Sequence, residues 1–160
     1  MLKKLIRILG LGSGAENGLS RDPATGFRKV YLAQMRLATQ IKAHADRAPY
    51  PHVAQQLNHV AGEKLRSCEV LRDALTKLGS YIGRDVPGET YSGGNHWERM
   101  ARDLRDQSAL EQTLSELSGL LVHEAPEESE FLSRMLVRER SHREVLTDLL
   151  MRADPQAHQI

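Results

Sequence analysis

The chain is short of several things. It has one cysteine, Cys68. An internal disulfide is impossible, and a single thiol suits a reducing cytosol, so a cytoplasmic location is expected. Aromatic residues make up only 4% of the 160 residues, which argues against a β-sandwich. Neither sign of charge dominates: 22 Lys plus Arg face 21 Asp plus Glu, a net of +1. That balance implies neither nucleic acid nor an acidic surface, and no nucleic-acid partner is expected. No apolar run reaches the roughly 18 residues that a membrane span needs. One further shortage is local. Between Phe27 and Ala45 there is no Asp or Glu.

What is present reads as helix. With 40% hydrophobic and 27% charged residues, the chain is long enough for one domain with a sizeable core. Asp22-Pro23 opens a first helix that Pro49 and Pro51 stop near Ala48. Its inward marks are Phe27, Tyr31, Gln34, Leu37 or Ala38, Ile41 and Ala45. A second helix runs from Pro51 to Leu78, with Gly79 as the stop. Residues 80–94 hold Gly83, Pro87, Gly88, Gly93 and Gly94 without periodicity and read as loop. At about 3.3 Å per residue, that stretch can span roughly 45–50 Å, the length of a bundle. A third helix opens at Asn95 and runs to about Ala125, marked by Trp97, Met100 or Ala101, Leu104, Leu114, Leu117 and Leu121. A fourth begins at Pro126 and ends before Asp154-Pro155. The short first and third connections predict two antiparallel hairpins.

The first dozen residues differ from the rest. Leu2, Leu5, Ile6, Ile8, Leu9 and Leu11 alternate with Lys3, Lys4 and Arg7. Arg7 inside the apolar stretch and the lack of an Ala-x-Ala site argue against a signal peptide. A short amphipathic helix fits the pattern, docking on the bundle or a neighbouring subunit, or lying on a membrane surface. Residues 1–20 are therefore read as this segment with a glycine-rich joint, 21–153 as the bundle, and 154–160 as a tail.

The chemistry concentrates at Glu139-Arg140-Ser141-His142. Steps of three and four through Phe131, Met135, Glu139, His142, Leu146 and Leu149 put a carboxylate and an imidazole on the buried seam. The same rhythm in the second helix reaches Lys64 and Ser67, with Cys68 beside them, and in the third it reaches Gln107 and Glu111. Elsewhere, His59 and Glu63 read as surface neighbours. His44, His52, His96 and His123 lie near helix ends, where imidazoles usually meet solvent or a cap. Cys68 reads as a small buried hydrophobe, and Tyr31 as a core residue with its hydroxyl tied off.

Two stretches carry a family resemblance. Ala45-Asp46-Arg47-Ala48-Pro49-Tyr50-Pro51, followed by Val60-Ala61-Gly62-Glu63-Lys64, is similar to the first interhelical turn of bacterial ferritin-like proteins of the bacterioferritin and rubrerythrin type. Val137-Arg138-Glu139-Arg140-Ser141-His142-Arg143-Glu144-Val145-Leu146 resembles their last helix. The resemblance implies an all-α ferritin-like four-helix bundle, two antiparallel hairpins joined by a long crossover. It also implies a mid-bundle dinuclear iron or manganese site needing about four carboxylates and two imidazoles. Carried over residue by residue, Glu139 and His142 match the Glu-x-x-His of the last helix, and Glu111 matches the third-helix glutamate. Lys64 stands where a glutamate belongs, Ser67 where a histidine belongs, and Gln34 at the first-helix position. Two expectations follow. One is a bundle that has lost its di-iron chemistry and acts through binding or assembly, possessing a polar layer of Gln34, Lys64, Ser67, Gln107, Glu139 and His142, with no cofactor and a homodimeric state. The other is an iron- or manganese-binding oxidoreductase or iron-handling protein using Glu111, Glu139 and His142.

Overall fold

The computed structural model describes residues 18–84, 88, 90, 91 and 93–156. The amphipathic segment read at residues 1–12 lies outside them, as does the end of the tail, 157–160. Among the described residues there are four α-helices and no strand: α1 (Pro23–Asp46), α2 (Pro51–Lys77), α3 (His96–Leu121) and α4 (Pro126–Arg152).

Local chemistry sets the ends. The Asp22 carboxylate accepts from the Thr25 backbone N–H at 3.2 Å and from its hydroxyl at 2.7 Å. Pro23, Pro51 and Pro126 each occupy a first helical turn, where a missing N–H costs nothing. Asn95 and Glu98 form a reciprocal capping box at the start of α3. Past α2, Gly79 takes φ +74°, so that Gly79 N–H reaches Thr76 O at 3.0 Å and Ser80 N–H reaches Leu75 O at 2.8 Å. That paired closure needs a left-handed residue, which glycine supplies without strain.

Three ends differ from the sequence expectation, the second helix by one residue, since it stops at Lys77 with Leu78 as its cap. The first helix stops at Asp46 rather than Ala48, and the third at Leu121 rather than Ala125. Proline disfavours helical backbone in the residue before it, and Ala125 accordingly sits at φ −143°, ψ 69°.

The helices pack as α1 against α2 and α3 against α4, with α1 also against α3 and α2 against α4. Side-chain pairs give the directions. Arg28, early in α1, donates to Ser80 Oγ at 2.7 Å and Tyr81 O at 3.0 Å, just past the end of α2. Arg21 meets Glu124, past the end of α3, at 2.9 Å. Late in α1, His44 and Gln40 meet Asp103, early in α3. The connection from α2 therefore leaves beside the start of α1 and rejoins beside its end, travelling the length of the bundle. The core is aliphatic, with Ile41, Leu57, Leu71, Leu75, Leu114, Leu117, Leu121, Leu132 and Leu146 fully buried. No helix among the described residues is long and apolar enough to cross a membrane.

Candidate functional site

At mid-bundle the aliphatic core gives way to a polar layer. Gln34, Lys64, Gln107 and Glu139 each lie near the middle of their helix, one from each of the four, and all four are 0% exposed. Glu139 is the hub. Its Oε1 accepts from Gln34 Nε2 at 2.5 Å. Its Oε2 accepts from Lys64 Nζ at 2.5 Å and from Gln107 Nε2 at 2.9 Å, and lies 3.2 Å from His142 Nδ1. Gln34 closes a ring, because its Oε1 accepts from Lys64 Nζ at 3.3 Å while its Nε2 donates to Glu139. Gln107 also donates to the Glu139 backbone carbonyl at 2.9 Å.

The layer reaches the surface through His142. Its Nε2 stands 2.6 Å from Glu63 Oε2, and Glu63 Oε1 stands 3.5 Å from the exposed His59. Both His142 contacts can be hydrogen bonds at once only when both ring nitrogens carry protons. Electrostatics follow the geometry. Burial alone would raise the Glu139 carboxyl. The His142 hydrogen bond and the Lys64 charge outweigh it and hold the group far below the usual carboxylate range. Burial draws the Lys64 ammonium below its ordinary value, with the charge and hydrogen bond of Glu139 pulling the other way. Glu63 is lowered chiefly by its hydrogen bond to His142. Lys64 and Glu139 thus form an ion pair in the interior, stabilised by two amides and an imidazole.

The structure brings Gln34, Lys64, Gln107, Glu139 and His142 together. Glu111 stands at the margin: its Oε1 is 3.5 Å from Gln107 Nε2 and 3.5 Å from Arg143 Nε. Ser67 is buried, but its hydroxyl has no hydrogen-bond partner, and neither has the Gln107 Oε1. Contrary to expectation, Ser67 therefore makes no hydrogen bond to the network. The surface grooves, at the Arg47–Arg152 end, between α1 and α3, and between α2 and α4, do not include the layer's side chains. Lys64 has no open approach through them.

The sequence reading missed a second buried cluster. His44 is 0% exposed, not solvent-facing or capping as expected. Its Nδ1 lies 2.7 Å from Asp103 Oδ2, and its Nε2 donates to Tyr91 O at 2.8 Å. Gln40 Nε2 donates to Asp103 Oδ1 at 2.8 Å and to Asp106 at 3.0 Å, while Gln40 Oε1 accepts from Tyr91 N at 2.9 Å. Burial pushes the Asp103 carboxyl up, and the hydrogen bond to His44 opposes it. Asp103 takes the inward position assigned to Leu104, which is only half-buried, and Trp97 stands 36% exposed. A buried carboxylate is tolerated there because two α1 side chains answer it. The step of three from Met100 was the available signal. His96 is also largely buried, and burial lowers it.

Other expectations hold. Cys68 is fully buried, and burial pushes its thiol up to about 12. The Tyr31 hydroxyl is tied off by Arg72 and by Gly83 O. His59 and Glu63 are neighbours on the outer side of α2, though Glu63 also serves His142.

For a dinuclear metal site the residues do not fit. The groups touching Glu139 are one ammonium, two amides and one imidazole, where two dications need several carboxylates. Among the described residues, no three His, Cys, Asp or Glu side chains are gathered to hold an ion. No family model matches the chain, and no curated protein matches its sequence.

Proposed function

We propose that the chain is a ferritin-like bundle in which an ammonium–carboxylate pair takes the place of the di-iron centre, and that it acts through binding or assembly rather than iron oxidation. The observation that carries this is Lys64 Nζ at 2.5 Å from Glu139 Oε2, with both groups fully buried. A positive charge there occupies the carboxylate that a metal would need and repels a dication. The short–long–short order of connections supports the ferritin-like assignment. The reading includes a bacterial cytoplasmic setting and a homodimer.

The test is metal analysis of protein purified without chelators, beside Glu139→Ala and with sedimentation of both. Absence of stoichiometric metal in a self-associated wild type supports the proposal. Stoichiometric iron or manganese that disappears in Glu139→Ala overturns it. That result favours a metal-binding oxidoreductase or iron-handling protein using Glu111, Glu139 and His142. The contact between Glu139 and His142 is the observation on that side.

A further inference from the structure

Between the last half of α2 and the first half of α4 lies a groove of about 470 Å³. Its apolar lining includes Val70, which is 48% exposed, and Phe131, whose ring stacks on Phe27 with centroids 5.2 Å apart. Its rim carries Asp73, Glu127 and Glu128. Lys77 and Arg134 also line it, and Arg134 is paired with Glu130 at 3.0 Å. Three lining carboxylates therefore stand against two lining cations, one of which Glu130 already answers, so the groove favours a cationic apolar occupant.

Such an occupant is tethered nearby. The described chain begins at Gly18, at the same end of the bundle, where Leu19 packs on the core and Arg21 holds Glu124. Residues 1–12 carry Leu2, Leu5, Ile6, Ile8, Leu9 and Leu11 with Lys3, Lys4 and Arg7. Only residues 13–17 intervene, a reach of roughly 20 Å at about 3.3–3.6 Å per residue. We propose that residues 1–12 of the same chain dock in this groove, their apolar side chains against Val70 and Phe131 and their cations against the acidic rim. A short tether holds the segment at an effective concentration on the order of millimolar, so a weak intrinsic contact suffices. A second copy lacks that advantage, and an anionic membrane surface would face the rim carboxylates as like charges. The proposal does not depend on what occupies the bundle centre.

Carbodiimide coupling of amines to carboxylates in the full chain, on an equal mixture of isotopically light and heavy protein, tests this. Coupling of Lys42 to Asp46, 3.5 Å apart, is the internal control. The expected products join Lys3 or Lys4 to Asp73, Glu127 or Glu128 within one isotopic species. In Leu5→Asp, and independently in Val70→Asp, their yield falls about tenfold as the tethered contact is lost. Mixed-isotope links would overturn the proposal in favour of a second copy's groove. Absence of these links while Lys42–Asp46 couples would overturn it outright. So would binding of the wild type, but not Leu5→Asp, to phosphatidylserine vesicles with no intramolecular link.

Discussion

Replacing Glu139 by glutamine tests the central pair most directly. The substitution keeps size and shape but removes the charge that answers Lys64. It also turns one acceptor oxygen into an amide donor. That NH₂ must face either Lys64 Nζ or Gln34 Nε2, both of which donate to Glu139. With ammonium and carboxylate both 0% exposed, solvent cannot repair the loss. Stranding one partner of a buried pair costs about 3–5 kcal/mol, a large part of the ~5–15 kcal/mol that holds a domain together. For a chain of this size that is a fall in Tm of roughly 6–20 °C. The assay is urea unfolding at pH 7, comparing midpoints at unchanged m-value. Adding Lys64→Met to Glu139→Gln removes the stranded ammonium. The double variant should be more stable than the sum of the singles by about 1–3 kcal/mol. In Glu139→Gln alone, burial still depresses Lys64, so the unfolded chain binds more protons than the folded one. Stability should then rise with pH up to the ordinary lysine value of about 10.4. A single-variant loss below about 1 kcal/mol, or strict additivity, would refute the buried ion pair.

The acid limb should carry the complementary signature. Glu139 titrates lower in the folded than in the unfolded state, so its stabilisation is present above pH ~4.3 and lost as pH falls towards the folded value. The stability–pH slope below pH ~4.3, read by urea titration, should shrink in Glu139→Gln. Because burial pushes the Cys68 thiol up to about 12, iodoacetamide should label it at pH 8 only as fast as the fold opens, and rapid native labelling would contradict the packing. His44→Ala strips the imidazole from Asp103 and leaves Tyr91 held by Gln40 alone. It should destabilise by about 3 kcal/mol and speed proteolysis within 79–95, measured by limited digestion. Asn95→Ala breaks the capping box and should cost about 1 kcal/mol in urea unfolding.

The helices were legible because their punctuation is local. Proline at the first turns, Asn95 with Glu98, and Gly79 each act within a few residues. The inward placement of Gln34, Lys64, Gln107 and Glu139 was legible for a similar reason, since helical periodicity fixes a face without knowledge of partners. What periodicity does not supply is pairing across helices. Nothing around His44 announces that Asp103, 59 residues away, will meet it. In a hydropathy pattern Asp103 reads as surface and Leu104 as core. The order reverses because one satisfied carboxylate beside His44 and Gln40 costs less than its sequence suggests. Ser67 shows the converse. Its inward position was evident, but whether its hydroxyl found a donor or acceptor depended on distances that only the packed helices set.

The contacts at the two ends of the first hairpin have a consequence for alignment. Leucine-rich helix faces interlock almost equally well after a shift of one turn, about 5.4 Å along the axis. Here the first hairpin is fastened to the second at both extremities, by Arg21 at Glu124 and by Gln40 and His44 at Asp103. Sliding one hairpin past the other by a turn would break both fastenings. The two clasps therefore work like a vernier, keeping the hairpins in the one register that brings Lys64 and Glu139 face to face.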